Sequence, residues 1–401
     1  MKSILYILSH QPLLFVLFLL VFVLGDNVTH TLGFSHQMTK FMLLVCCAIA
    51  SLKTISNGFA VCPAGRNLLL FTVLYWIFKI ATDHTPGAVS MGIVLFLPVL
   101  LYLTFISHVR KRDIPHFKRL FYGIYLVECG IAIIERFVLR STFFISTFTE
   151  LGAAQDPIYQ LSAEELLAFR AIGLYGHPLQ NALIVFVFLL FILIYECSIR
   201  KKLFMVSLGI LAIFCFNARA AILISTVSVG LYCLHLFQES SVKSSVRQNI
   251  FAGFLIALLI FYASYSFGII GGRLLSMGVF DDSSTATRIR LLSIFDYYDW
   301  KDFVFGINRD ELMILIQKIG VFAIENFWFN IGLSYGLVCV IGLVVFYVPL
   351  MRSIFKHESL FHGLFLIVPY ITLASTNLSL SVDIVSMTAF LMLSYIMPRT
   401  R

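Results

Sequence analysis

The chain has 401 residues and a formal net charge of +8; 60% of its residues are hydrophobic and only 12% are charged, with a mean hydropathy of +0.94. Soluble domains carry about 25% charged residues, so this composition excludes an ordinary soluble domain and indicates an integral membrane protein. The positive charge does not indicate nucleic-acid binding, because the basic residues lie in short loops between apolar runs, and the eight cysteines form neither a disulfide framework nor a zinc-ligand spacing.

Apolar runs long enough to cross a hydrocarbon core recur along the chain and end where charge, Gly or Pro appears. The first run has one early Lys and no small-residue cleavage site before Asp26, so we expect a retained span and not a removed signal peptide. The sequence predicts an all-α, polytopic membrane protein that forms a single domain over residues 1–401. We place twelve spans at about 5–25, 38–53, 67–82, 89–108, 119–138, 178–197, 203–217, 219–237, 249–271, 326–350, 359–374 and 383–397.

The basic residues set the orientation of these spans. With an even number of spans the basic clusters all fall on one side, which the positive-inside rule identifies as the cytoplasmic side. Both termini are then cytoplasmic. The clusters are Lys2; Lys53 with Arg66; Arg110, Lys111, Arg112, Lys118 and Arg119; Arg200, Lys201 and Lys202; Lys243 with Arg247; Arg352 with Lys356; and Arg399 with Arg401.

Two long loops, at about 139–177 and 272–325, lie on the outer side in this arrangement. Loops of this length in a compact protein are usually functional or disordered. In the second loop Ile289, Leu292 and Phe295 recur at near-helical spacing, which predicts short interfacial helices that cap a cavity.

Arginines stand at or beside three outer membrane boundaries. Arg170 precedes span six, Arg219 lies in the tight turn between spans seven and eight, and Arg288 lies in the second loop with Arg290 two residues on. Because Arg presents a planar fork that binds phosphate oxygens bidentately, their convergence predicts a site for a pyrophosphate group. The alternative is that Arg170 and Arg288 pair with local acids while Arg219 extends to the interface.

Two further residues are candidates for proton transfer. His177 precedes Pro178, so it could act as a general base, donate to a phosphate, or only begin a helix. Glu325 stands beside Asn326 and an aromatic cluster, and a raised pKa in such surroundings suits a general base. N-capping of span ten is the alternative role for Glu325. No ATP-binding loop, zincin or hydrolase motif occurs, and Asp281 with Asp282 alone does not indicate a metal, so we expect no cofactor and no metal.

Taken in order, the segments RAIGLYGHP, NARAA, TRIRLLSIFDYYDWKDFVFGIN and ENFWFNIGLSYG resemble hallmarks of the O-antigen polymerase and O-antigen ligase superfamily. The motifs cover about residues 165–350, and the topology covers the whole chain. The resemblance implies a GT-C-like, metal-independent glycosyltransferase of the bacterial inner membrane, with its active site on the outer face.

The resemblance also implies roles for individual residues. It makes Arg170, Arg219 and Arg288 binders of pyrophosphate or sugar. Arg290 and Asn326 are further candidates for substrate binding. Gly306 is then the turn that follows the loop helix. Ligases of this family show His-Asn where this chain has Glu325-Asn326. That departure favours a Wzy-type polymerase, although His177 as a substitute base keeps the ligase alternative open.

The sequence therefore predicts a polymerase of O-antigen, capsule or exopolysaccharide that elongates a glycan carried on polyprenyl (undecaprenyl) pyrophosphate. The expected partners are this lipid-linked oligosaccharide and the bilayer, with a chain-length regulator and a flippase as further candidates and no nucleic acid. A lipid-linked oligosaccharide flippase is the rival of another class, but it needs charges within its spans along a central path. The main candidates for such charges are Lys79, Glu128, Glu135 and Arg136.

Overall fold

The structure is a computed structural model that describes residues 2–33, 41–46, 49, 62–83, 86–144, 169–238, 248, 290–320, 324, 326–376 and 384–400. Within these ranges the chain is helical and contains no strand. The first half contains helices α1 (Lys2–His10), α2 (Pro12–Phe18), α3 (Asp26–Thr31), α4 (Pro63–Asp83), α5 (Pro86–His108), α6 (Ile114–Ile133) and α7 (Pro178–Tyr195). The second half contains α8 (Ile199–Cys215), α9 (Arg219–Gln238), α10 (Trp300–Phe305), α11 (Arg309–Lys318), α12 (Phe327–Phe355), α13 (Leu360–Ser375) and α14 (Val385–Ile396). Short π-helical turns extend α2 over Leu19–Val23 and α6 over Ile134–Leu139, and 3-10 turns cover Lys111–Asp113, Leu292–Asp296 and Pro398–Thr400.

Four of the described helices, α4, α7, α9 and α12, are long and apolar enough to cross a membrane. The segments Ile93–His108 and Lys111–Leu139 meet the same standard together and are bent by 109° at the break between them. The chain is therefore an α-helical membrane protein, as its composition indicates, and the number of twelve spans stays a prediction.

The helices follow the apolar runs closely where the run starts or ends at Pro or Arg. Helix α7 begins at Pro178 and α9 begins at Arg219, as the sequence predicts. Helix α8 instead begins at Ile199, so its first turn contains the basic residues that we placed in a loop. Lys and Arg are good helix formers, and a helix can continue past the membrane edge where its side chains reach water. The predicted first span is divided at Gln11, and the predicted ninth span lies outside the described residues.

Helix α7 is the central helix of the bundle. Nearly all of its side chains are buried, and it packs against α6, α8, α9, α13 and α14. A helix that is apolar on every side has no face suited to water, so it is stable only when other helices surround it. The helices around α7 carry the exposed apolar side chains of the bundle, including Leu223, Phe204 and Val127.

The basic clusters among the described residues lie at one end of this bundle, which we call the basic end. Asp113 accepts hydrogen bonds from Tyr6 (3.3 Å) and Gln11 (3.1 Å), which joins the start of the chain to the turn after α5. Lys201 at the start of α8 contacts Glu196 at the end of α7, and Cys62 lies 3.9 Å from Ser353. The opposite end, which we call the loop end, contains residues 169–177, the turn before α9 and the segment that follows α10.

Helix α12 is interrupted at Gly336, where φ is 83° and ψ is 167°. The backbone that ends α10 fits into this interruption: Ile307 N–H donates to Leu333 O at 2.7 Å, and Gly306 has a φ of 89°. A Cβ atom on Gly306 would lie 2.6 Å from Ser334 O, closer than non-bonded atoms can approach. Gly306 is the turn after the loop helix, as the motif resemblance implies, and it brings the loop into contact with the broken helix.

The substitution Gly306→Ala should destabilise the protein by at least about 2 kcal/mol, because it combines a strained φ with a backbone overlap. Gly332→Ala is the matched control, since Gly332 lies in the regular part of α12 and its Cβ position meets only Val340 at 3.9 Å. That control should be neutral or stabilising by up to about 1 kcal/mol. Thermal unfolding of the purified protein in detergent measures both, and equal melting temperatures for the two variants would contradict the packing described here.

Candidate functional site

Two buried carboxylates hold the segment that precedes α7. Glu135 accepts hydrogen bonds from the N–H groups of Ile172 (2.8 Å) and Gly173 (3.1 Å) with one oxygen and from Phe143 (2.8 Å) with the other. Glu128 lies in α6, on the N-terminal side of Glu135, and accepts a hydrogen bond from the N–H of Leu174 at 3.1 Å. Three consecutive backbone donors are therefore bound by carboxylates in a site closed to water, where an N–H without a partner would cost about 1–3 kcal/mol.

The same segment is fixed from its other side by α7. Asn181 is fully buried, donates to Ile172 O and to His177 O, and accepts from Tyr175 N–H at 3.1 Å. Gly173 has a φ of 49°, and the Glu128 carboxylate together with Asn181 occupies the position of any side chain there. The motif RAIGLYGHP is thus a turn that requires Gly at position 173.

Arg170 begins this segment and contacts the turn between α8 and α9. Its Nε donates to Phe216 O at 3.3 Å, and the N–H of Ala171 donates to Cys215 O at 3.0 Å. Asn217 takes a left-handed φ of 50° in this turn, and Arg219 follows as the first residue of α9. Both Arg170 and Arg219 are half-buried. Two of the arginines selected from the sequence therefore lie at one turn of the loop end.

His177 ends the segment as the N-cap of α7, where its Nδ1 accepts from Leu179 N–H at 3.2 Å. Burial, and after it the charge of Arg170, lower the pKa of His177 from 6.5 to about 4. A neutral imidazole whose Nδ1 accepts a hydrogen bond carries its proton on Nε2. His177 therefore begins a helix, which was one of its predicted roles, and its low pKa and Nδ1 contact favour Nε2 as a hydrogen-bond donor.

A second buried charge holds the other loop. Lys79 in α4 forms an ion pair with Asp83 at 2.9 Å and donates to the carbonyls of Phe305 and Gly306, each at 3.4 Å. Asn308 donates to Asp83 O at 3.2 Å. The end of α4 thus supports the backbone that fits into the interruption of α12.

The remaining candidate residues are Asn326, Arg290, Glu325 and Arg288, and the structure describes only the first two. The N-cap of α12 is Asn326, whose Oδ1 accepts from Phe329 N–H at 3.1 Å, so the predicted helix start is confirmed but the capping position is one residue after Glu325. Arg290 is exposed and lies near Gly320. Glu325 and Arg288 lie outside the described residues, so their roles stay predictions.

Sequence reasoning missed the parts played by Glu128, Glu135 and Asn181. It noted the two carboxylates only as charges within spans, where an ionisable residue is functional by default. It did not connect them with the Gly173 turn, because hydropathy contains no information about which backbone a side chain meets. Asn181 in an apolar helix was the comparable signal for a buried polar contact.

Among the residues described, no group of three or more His, Cys, Asp or Glu side chains is arranged to hold a metal ion. No protein-family model matches the chain, and no characterised protein matches its sequence. The geometry at the loop end is therefore the basis for any functional conclusion.

The acid sensitivity of α7 should depend on His177. Because its folded-state pKa lies below the ordinary value of 6.5, the unfolded chain binds the proton more readily. The stability that His177 contributes is present above about pH 6.5 and is lost as the pH falls towards 4. His177→Asn keeps a capping side chain without titration and should lessen the fall in melting temperature over this range by on the order of a few °C. Parallel curves for both proteins would show that another group controls the acid response.

Replacement of Glu135 by Gln should destabilise the protein by about 1–3 kcal/mol, because the amide has one acceptor oxygen for three backbone donors. The matched control is Glu311→Gln, which alters an exposed side chain of α11 and should change stability by less than about 0.5 kcal/mol. Thermal unfolding in detergent compares the two. A Glu135 variant as stable as the control would mean that these hydrogen bonds do not hold the turn.

Proposed function

We propose that the chain is a polysaccharide polymerase of a bacterial inner membrane. In this reaction the glycan moves from its polyprenyl pyrophosphate to the non-reducing end of a second lipid-linked repeat unit. The observation that carries the proposal is that Arg170 donates to Phe216 O in the turn between α8 and α9, and that Arg219 begins α9 directly after this turn. The turn lies at the end of the bundle opposite the basic end.

The reaction needs two kinds of group. The bond between the anomeric carbon and the pyrophosphate oxygen breaks, a bond from the acceptor hydroxyl to that carbon forms, and the hydroxyl proton passes to a base. Arginines can stabilise the leaving pyrophosphate without a metal, and one preorganised donor contributes on the order of a hundredfold in rate. General-base catalysis contributes about a hundred to ten thousandfold.

Roles follow for the residues at the loop end. Arg170 and Arg219 are proposed to bind the pyrophosphate, with Arg288 and Arg290 from the second loop. His177 is proposed to donate through Nε2 to a phosphate or sugar oxygen, because its low pKa makes it a poor base. Glu325 is then the proposed base, beside the capping residue Asn326.

The contacts of the buried charges weigh against the flippase alternative. Lys79, Glu128, Glu135 and Arg136 all bind loop backbone; Arg136, for example, donates to Phe169 O at 3.0 Å. Residues occupied in this way hold loops over the bundle, whereas a flippase needs charges along a path for its cargo. An O-antigen ligase would use the same donor lipid, so only the product separates it from a polymerase.

Deletion of the gene separates the two enzymes by the glycan that remains on the cell surface. Loss of long chains with one repeat unit still attached supports the polymerase, and loss of all attachment to the lipid core supports the ligase. Accumulation of lipid-linked repeat units on the cytoplasmic face would instead support the flippase and overturn the enzyme proposal.

In the deletion strain, Arg219→Ala should reduce chain elongation by about a hundredfold or more, and Arg219→Lys should restore little, since Lys cannot reproduce the bidentate fork. Arg170→Lys should behave similarly. The control is Arg140→Ala, which removes an exposed arginine from the same end of the bundle. Protein level and melting temperature are measured for each variant, so that a folding defect is distinguished from lost turnover. Full elongation by both Lys variants would mean that Arg170 and Arg219 supply only positive charge and no bidentate contact.

A further inference from the structure

A cavity of about 250 Å³ opens at the basic end, far from the residues of the proposed reaction. Its walls come from the start of α6, the start of α8 and the last 3-10 turn. They are Pro115, Lys118, Arg119, Tyr122, Lys201 and Thr400. Three of these six side chains are cations, and they come from two helices that are distant in sequence.

The charges of the cavity are arranged for an anion. Glu196 neutralises part of the charge by accepting from Lys201 at 3.1 Å and from Tyr122 Oη at 2.8 Å. With three cations and one acid, the cavity retains a net charge of about +2. Lys201 also lies 4.1 Å from the centre of the Tyr122 ring, and this contact holds the ammonium at the cavity wall. A phosphate group suits this setting, because Arg119 can present a fork and the lysines act as point charges.

The surface beyond the cavity is suited to a hydrocarbon chain. Arg119, Gly123 and Val127 follow one another at intervals of four residues on one face of α6, and all three are exposed. A Cβ atom on Gly123 or on Gly130 would meet no other atom within 4 Å, so the helix surface is open there. Beside Lys201, the side chains of Leu203 and Phe204 on α8 are exposed as well. This apolar surface leads away from the cavity along the membrane-facing side of the bundle.

We propose that the cavity binds the phosphate of an anionic phospholipid headgroup, with an acyl chain along the exposed face of α6. A free phosphate or phosphate ester would satisfy the cations alone, whereas the apolar face argues for a lipid as the source of the phosphate. A basic pocket between helices at the cytoplasmic side is where anionic headgroups are bound in other membrane proteins. The proposal does not depend on glycosyl transfer.

The test uses the full chain, purified in detergent and freed of lipid. Short-chain phosphatidylglycerol, short-chain phosphatidylcholine and inorganic phosphate are titrated separately, with thermal unfolding and native mass spectrometry as readouts. We expect saturable binding of phosphatidylglycerol with one lipid retained, weaker binding of phosphatidylcholine, and competition by inorganic phosphate only at much higher concentration. Equal binding of the two lipids, or inorganic phosphate binding that leaves no site for lipid, would overturn the proposal.

Matched variants separate the cavity from the general charge of the basic end. Lys118→Gln and Lys201→Gln should each weaken phosphatidylglycerol binding by about fivefold. Lys111→Gln and Arg200→Gln remove the same charges from nearby exposed positions outside the cavity and should leave the affinity within about twofold. If Lys201→Gln fails to fold because Glu196 loses its partner, Arg119→Gln replaces it in the series. Equal losses in the cavity and control variants would show nonspecific attraction and contradict a built site.

The proposed position of the acyl chain along α6 is tested by a separate variant. Gly123→Leu fills the open face of α6 and should weaken binding of phosphatidylglycerol several-fold while leaving the direct binding of inorganic phosphate unchanged. Unaltered lipid binding in this variant would overturn the proposed acyl-chain position.

Discussion

The hydrogen bonds from three consecutive backbone N–H groups to the carboxylates of Glu135 and Glu128 organise the loop end. Residues 172–174 form a turn outside any helix, so their donors have no intrahelical acceptors. Water cannot satisfy them inside the bundle, so the carboxyl oxygens of Glu128 and Glu135 take the place of water as acceptors. Because Arg170 and His177 stand on either side of this turn, the carboxylates also determine where a guanidinium and an imidazole lie.

The second loop is held by a cationic side chain, that of Lys79. There the backbone presents carbonyl oxygens, of Phe305 and Gly306, and the span supplies the ammonium of Lys79. Asp83 balances that charge at 2.9 Å, so the cation is not isolated in the bundle. Carboxyl side chains therefore bind backbone donors, and the cations Lys79 and Arg136 bind backbone acceptors. These contacts explain why an otherwise apolar bundle contains ionisable side chains.

The sequence predicts the helices well and their contacts poorly. The apolar run from Pro178 to Tyr195 defines α7 almost to the residue, because Pro suits a first turn and charge follows its end. The break at Gly336 was not predicted, since a single Gly in an apolar run is common and its positive φ depends on the backbone of α10. Arg170 precedes α7 and Arg219 begins α9, where the sequence places them relative to the apolar runs. The contact of Arg170 with Phe216 O, in the turn before Arg219, is a tertiary contact that no local pattern encodes.

The fit between Gly306 and the interruption of α12 has a consequence for replacing the loop by a segment of another sequence. The segment that follows α10 is held by α4 and enters α12, so three separated stretches of the chain form one mechanical unit. A chimera that transplants the loop alone would place a foreign backbone over Lys79 and Gly336. Recombination therefore needs crossover points that carry the end of α4 and the first half of α12 together with the loop.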